Sequence, residues 1–182
     1  VRCFVDKPFT FTLAEGRKLC ELARQKKVAL TSFSSVPRQQ SFQDFKAAAE
    51  KLGAIAGFTT SGPVELKNKY GGVFFYGIHQ VDAIVELLGT AAETVTLSKH
   101  GKGGIAIITY KNGPVVAMHC LNNGMSKWHW TVLGEKEILE WTHVGDPHSH
   151  LVGLKVFSGM FKTGQEPFTH ERMLAPVAIL EA

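Results

Sequence analysis

Two short apolar runs separated by the length of one helix open this chain, and that spacing leaves few folds available. Val1 to Val5 reads as a strand, Thr12 to Lys27 as a helix, and Val28 to Phe33 as a second strand. Thr12 and Glu15 form a capping box at the helix start, where the threonine oxygen meets the third backbone N–H. Leu13, Gly16, Leu19, Cys20 and Ala23 recur at helical spacing, while Arg17, Lys18, Arg24, Lys26 and Lys27 take the wet side. The basic finish suits the negative end of the helix dipole. A strand–helix–strand unit of this size returns parallel to its first strand in nearly every case. Residues 1–34 therefore read as the last part of a doubly wound α/β sheet. In such sheets ligands bind beyond the carboxyl ends of the strands. Lys7 stands there, in Asp6-Lys7-Pro8, and from position alone a cleft lysine and a surface-turn lysine are equal readings. The Lys7–Pro8 bond is a candidate for the cis form.

The remainder changes texture twice. A second helix is expected over Ser41 to Leu52, capped by Ser41, with Phe42, Phe45, Ala49 and Leu52 on one side and Gly53 ending it. A strand, Ala54 to Ser61, and a loop rich in Gly, Lys and Asn lead to a third helix from near His79 to Gly89. Its apolar stripe is Ile78, Val81, Val85 and Leu88, which places His79, Asp82 and Glu86 together on another face. Then come short β-rich runs, Val95–Leu97, Ile105–Tyr110, Val115–Leu121, Trp128–Leu133 and Ile138–His143. Asn112-Gly113 and Gly134-Glu135-Lys136 are hairpin signals between them. This predicts an antiparallel meander with helices on one face and the other face free for a partner. The last segment reads as helical but broken at Pro176. The fold class is α+β: a large, mostly antiparallel open sheet covered by helices on one face, preceded by the β-α-β unit.

Composition excludes several function classes. With 182 residues the chain holds one large domain, or one domain plus a fragment, and can bury a core. No apolar run approaches the ~20 residues of a membrane span, and the start carries no leader pattern. The net charge of +4 is scattered, without the focused basic surface that nucleic acid requires. Cys3, Cys20 and Cys120 form no CxxC pair and read as free thiols in a reducing compartment, so a cytoplasmic location is expected. Export of the intact protein stays open.

Three stretches invite a chemical reading. Gly101-Lys102-Gly103-Gly104-Ile105-Ala106 has the spacing of a dinucleotide fingerprint, but the fingerprint needs a helix start after it and here a strand follows, so a glycine-rich hairpin is favoured. Asp146-Pro147-His148-Ser149-His150, with His143 nearby, offers an H-x-H pair; without a third distant ligand a metal site is disfavoured. His79 follows Gly71-Gly72-Val73-Phe74-Phe75-Tyr76-Gly77-Ile78. This brings an imidazole, the natural base near neutral pH, to a helix start beside an aromatic, glycine-rich loop.

Together these residues resemble the Gfo/Idh/MocA oxidoreductases, the family of glucose–fructose oxidoreductase and inositol dehydrogenase. Asp6-Lys7-Pro8 is similar to that family's Glu-Lys-Pro motif, and Phe75-x-Gly77-x-His79-x-x-Asp82 resembles its Asp-x-Gly-x-His-x-x-Asp signature. The resemblance covers the whole chain. It implies that residues 1–34 end a Rossmann domain whose cofactor-binding first part is missing here. Residues 35–182 would then form a domain for substrate binding and oligomerisation. It implies hydride transfer between NAD or NADP and a sugar- or cyclitol-like carbon, with no metal. NAD(P) would be bound mainly by the missing segment, and the fragment alone would be inactive. Lys7 and His79 would be catalytic, Lys7 and Pro8 would meet the cofactor, Tyr76 and Arg38 would meet the polyol or sugar, and Asp82 would orient the imidazole or meet a substrate hydroxyl. A homodimer or homotetramer is expected through the open sheet face. The family's first aspartate is Phe75 here, which keeps a non-catalytic sugar-binding or assembly module as the alternative. A metal-dependent hydrolase using His143, His148 and His150 is the more distant rival.

Overall fold

The computed structural model describes residues 1–182 apart from 123 and 125. Strand β1 (Arg2–Phe4), helix α1 (Leu13–Lys26) and strand β2 (Ala29–Thr31) come first, followed by α2 (Gln40–Ala49), β3 (Ile55–Pro63) and α3 (Phe74–Leu88). The strands β4 (Ala92–His100), β5 (Gly103–Tyr110), β6 (Val115–Leu121), β7 (His129–Gly134) and β8 (Ile138–Thr142) then precede α4 (Ser149–Thr163) and α5 (His170–Glu181).

The opening unit is as the spacing predicts. β1 and β2 pair in parallel, Arg2 against Ala29 and Phe4 against Thr31. Thr12 Oγ1 accepts from the Glu15 backbone N–H at 3.2 Å, which caps α1. Gly16, Cys20 and Ala23 form the buried stripe of α1, and Cys20 and Ala23 join Met173 and Val177 of α5 in one cluster. Leu30 of β2 and Phe9 complete that cluster, while Leu19 on the neighbouring side of α1 stays 42% exposed. The Lys7–Pro8 peptide bond is cis.

The second sheet has six strands in the order β4-β5-β6-β3-β7-β8. It is mostly antiparallel, yet it is not a simple meander. β3 lies between β6 and β7, parallel to β6 from Gly57–Val115 to Pro63–Leu121 and antiparallel to β7. The hairpin signals were local and could not show an earlier strand entering the middle.

Side chains alternate between the two faces, as the pleat demands. One face carries Phe58, Ala106, Ile108, Val116, Met118, Trp130 and Val132, which pack with Phe42 and Phe45 of α2 and with Val81, Ile84 and Val85 of α3. Trp130 is fully buried, its ring 5.1 Å from those of both Phe42 and Phe45. Among the described residues, no helix lies over the other face. The strand registers align Ser98–Ile105–His119–Ser61–His129–Thr142 in one row and Thr96–Ile107–Ala117–Thr59–Thr131–Glu140 in the next. Small, β-branched and polar side chains thus make a mostly polar surface in which Ile105, Ile107 and Ala117 are the apolar members of these two rows.

Three local expectations change. Ser41 does not cap α2; Gln39 occupies that position, and Ser41 Oγ accepts from Trp141 Nε1 at 3.0 Å and Val144 N at 3.1 Å. Two strand-side donors outcompete the helix start for one oxygen. α3 begins at Phe74, so His79 sits in its second turn rather than at its start. Gly71 and Gly72, at φ +106° and +60°, turn the chain, and packing of Phe74 against Phe11 (5.3 Å between rings) recruits weak helix formers into the helix. Pro176 lies inside a continuous α5; the break falls earlier, where Gly164 ends α4 in a left-handed conformation.

Candidate functional site

Lys7 lies three residues beyond the carboxyl end of β1, before a cis bond to Pro8. Its Nζ donates to the Phe75 carbonyl at 3.1 Å and lies 5.3 Å from the Phe75 ring centre and 5.8 Å from that of Tyr76. The aromatic run that opens α3 therefore forms a cradle for the ammonium. Burial lowers the Lys7 pKa, against a smaller raising effect from Asp6.

His79, one turn further along α3, is held from behind. Its Nδ1 is 2.7 Å from Ser34 Oγ, just past the end of β2. Its ring packs edge-on against Tyr76 and Trp128, with centres 5.7 and 5.6 Å away. Burial, followed by the Lys7 charge, pushes its pKa down to about 3, so the imidazole is neutral through the physiological range.

Lys7 and His79 line one cleft of about 390 Å³. Asp6, Ser35 and His150 add polar groups to it; Phe4, Phe33, Leu154 and Phe157 supply an apolar wall. A larger hollow of about 560 Å³ between α1 and α5 is lined by Arg17, Arg24 and His170, among others, and includes neither Lys7 nor His79.

The other expected site residues separate into two groups. Tyr76 is 41% exposed, with its ring centre 5.8 Å from Lys7 Nζ and 5.7 Å from that of His79, and it stands beside the cleft without lining it. Asp82 is not available to a ligand. It is 2% exposed; Oδ2 accepts the Ser34 N–H at 2.7 Å and Oδ1 accepts from Arg172 Nη1 at 2.6 Å. The reading of Asp82 as a substrate ligand is corrected: both oxygens are engaged inside the protein, and the carboxylate reaches His79 only through Ser34. Arg38 is corrected likewise. It pairs with Glu86 and stacks over Phe168 at 5.0 Å, and it is not among the cleft residues. Burial alone would raise Glu86, but Arg38, Lys46 and Arg172 around it hold its carboxyl below the ordinary range. The pattern His79, Asp82, Glu86 on one helix face is present; only its first member reaches the cleft.

Ser34, His150 and Arg172 were not singled out for this site by sequence. Ser34 follows a predicted strand at its carboxyl end, which is a usable signal. Arg172, 90 residues from Asp82, offered none. His143 is buried between Trp128 and Trp130, with ring centres 5.9 and 5.2 Å away, while His148 and His150 face each other at 6.4 Å on α4 and the loop before it. Among the described residues, no three His, Cys, Asp or Glu side chains are placed to hold a metal ion. Among the described residues, also, no helix is long and apolar enough to cross a membrane.

No protein-family model and no curated protein matches the chain. Solved structures do. GenD2 from gentamicin A biosynthesis, in complex with NAD, superposes with a TM-score of 0.81 at 15% identity over 98% of this chain and 67% of that one. An oxidoreductase from Agrobacterium radiobacter, in complex with NAD+, L-tartaric acid and magnesium, gives 0.79 at 15% over 100% and 69%. The WlbA dehydrogenase from Bordetella pertussis, in complex with NADH and UDP-GlcNAcA, gives 0.74 at 18% over 97% and 66%. This chain spans about two thirds of their length, and its fold is that of the matching part of these oxidoreductases.

Proposed function

We propose that this chain is the substrate-binding and catalytic portion of an NAD(P)-dependent oxidoreductase acting on a sugar- or cyclitol-like hydroxyl carbon. Residues 1–34 would close a Rossmann cofactor domain, and residues 35–182 would form the substrate and assembly domain. The observation that carries this reading is the convergence of Lys7 and His79 on one cleft at the carboxyl ends of two parallel strands. A cation beside a fixed imidazole stabilises an oxygen that gains negative charge, and such pre-aimed groups account for much of an enzyme's rate. Shared fold with NAD- and NADH-bound oxidoreductases supports it.

The cleft suits the nicotinamide end of a dinucleotide: Phe4, Phe33 and Phe157 offer a flat apolar wall, and Lys7 offers a cation beside it. Pro8 follows that cation in the loop after β1. The pyrophosphate finds no seat in Gly101–Gly104, which lies in the β4–β5 hairpin and feeds a strand. The bound cofactor supplies or accepts hydride; the chain orients the reacting carbon and manages charge on its oxygen. The uncovered sheet face, with its Thr96–Ile107–Ala117–Thr59–Thr131 row, would pair two copies.

The test is NAD(P) reduction by the intact protein against myo-inositol, glucose and UDP-sugars, with Lys7→Ala and His79→Ala. Activity that falls at least a hundredfold in either variant is expected. Parental rates in both would overturn the assignment. Binding of a polyol with no change in NAD absorbance would favour instead the assembly module that Phe75, in place of a carboxylate, keeps open.

A further inference from the structure

We infer that Ser34 is a positioning residue that fixes His79 as the Nε2–H tautomer, so that the imidazole meets the reacting oxygen as a hydrogen-bond donor rather than as a base. This deepens the proposed reading of the same cleft and rests on it for its chemical meaning, though not for its test.

The inference follows from counting protons around one oxygen. Ser34 is 0% exposed, so its hydroxyl must be satisfied inside the protein. Its oxygen accepts the Val36 N–H at 3.1 Å and lies 2.7 Å from His79 Nδ1; among the described residues it has no other hydrogen-bond partner. Two arrangements are open. If Ser34 donates to Nδ1, the hydroxyl proton and the nitrogen lone pair satisfy each other, and the oxygen lone pairs still take the Val36 N–H. If instead Nδ1 carries the proton and donates, the serine proton has no acceptor in a dry site. A buried unsatisfied donor disfavours the second arrangement by roughly ten- to hundredfold. An imidazolium carries the same Nδ1 proton and meets the same objection, with the Lys7 charge added. The low His79 pKa of about 3 agrees with this.

The serine cannot easily turn away. Its backbone N–H is tied to Asp82 Oδ2 at 2.7 Å, and Asp82 is tied to Arg172 Nη1 at 2.6 Å, so α3 and α5 clamp the residue from both sides. The charged and titratable groups near the imidazole are Lys7, Tyr76, Asp6 and His150, and none of them hydrogen-bonds it. With Nδ1 occupied, Nε2–H is the nitrogen left for a ligand.

The proton balance then falls on Lys7. In the reducing direction, a reduced nicotinamide dinucleotide, when bound, would supply hydride to the carbonyl carbon, and the C=O π pair would move onto oxygen. Nε2–H donates a hydrogen bond to that oxygen and keeps its proton. The Lys7 ammonium releases one proton to complete the alcohol, becomes a neutral amine, and is recharged from solvent. In oxidation the same amine takes the hydroxyl proton.

The experiment uses the chain itself, labelled with ¹⁵N-histidine, without substrate or cofactor. Long-range ¹H–¹⁵N correlation spectra distinguish the two tautomers from the cation, and His79→Gln identifies the His79 signals by their loss. The expected result is a protonated Nε2 and a bare Nδ1, unchanged between about pH 5 and 9. In Ser34→Ala the Nδ1–H form should rise to a measurable fraction. A wild-type Nδ1–H tautomer, or titration near pH ~6.5, overturns the inference. So does a tautomer ratio indifferent to Ser34→Ala. If that variant fails to fold, the wild-type spectrum alone still decides the tautomer. Absent oxidoreductase activity with the expected tautomer would count against the proposed function only.

Discussion

Arg172→Met should be among the most damaging single changes in this chain, although Arg172 touches no ligand site. Its guanidinium is the donor to Asp82 Oδ1 at 2.6 Å, and the two side chains are 16% and 3% exposed. Removing it leaves a buried carboxylate with one oxygen unpaired. Glu86 suffers less, because Arg38 and Lys46 remain beside it. Breaking a buried pair from one side costs about 3–5 kcal/mol. For a chain of this size each kcal/mol moves the melting temperature by about 2–4 °C, so a fall of about 6–20 °C is expected. Circular dichroism melts would measure it. The double variant Arg172→Met with Asp82→Asn removes both charges and leaves an amide oxygen for the Ser34 N–H, so it should recover at least half of the loss. A single-variant shift below about 3 °C, or a double variant no better than the single, would refute the view of Asp82 as a buried anion held by one arginine.

Three further outcomes follow from the same geometry. The unfolded chain protonates His79 near pH ~6.5 whereas the folded chain does so at about 3, so its stabilising contribution is complete above pH ~6.5 and is lost as pH falls toward 3. Urea midpoints of His79→Gln should therefore fall less steeply over that window, by up to about 1.4 kcal/mol per pH unit; parallel slopes would contradict the burial argument. If two copies pair through the sheet face as proposed, Ile107→Glu on β5 of that face should shift sedimentation from dimer to monomer while leaving the circular dichroism spectrum unchanged; a wild-type monomer, or a dimer unaltered by the change, would refute the pairing. Phe75→Asp puts a carboxylate beside the Lys7 ammonium and should raise its pKa, seen as slower reaction of Lys7 with an amine-directed reagent near pH ~8; equal or faster labelling would count against the aromatic cradle.

What could be read from residues alone follows the range of the interactions involved. The parallel pairing of β1 with β2 was legible because handedness and helix length leave one solution for a strand–helix–strand unit. Lys7 and His79 were legible because each sits at a local landmark, a strand end before proline and a helix turn after paired glycines. The insertion of β3 between β6 and β7 was not, since it joins segments about 60 residues apart that carry no mutual mark. The fate of Asp82 was not legible either. Its spacing on α3 says that it shares a face with His79, but only the arrival of Arg172 on α5 turns that face inward at the fourth residue. Ser41 shows the same limit at smaller scale: it reads as a helix cap until Trp141 and Val144 claim its oxygen.

Phe75 is where the sequence departs from the resemblance, and the structure gives that departure a chemical direction. An aspartate in this place would put a negative charge beside Lys7 and raise its pKa. The phenylalanine does neither. Its carbonyl takes one Lys7 N–H at 3.1 Å, the one hydrogen bond that the ammonium makes among the described residues, and its ring centre lies 5.3 Å from Nζ, whose pKa burial lowers. On the proposed reading, a lysine that gives up its proton more readily, beside a histidine that keeps its own, would divide the work differently from a carboxylate–histidine pair: the cation would be the proton carrier and the imidazole a fixed donor. On that division, losing the carboxylate is compatible with catalysis, because the group it would have assisted no longer moves a proton.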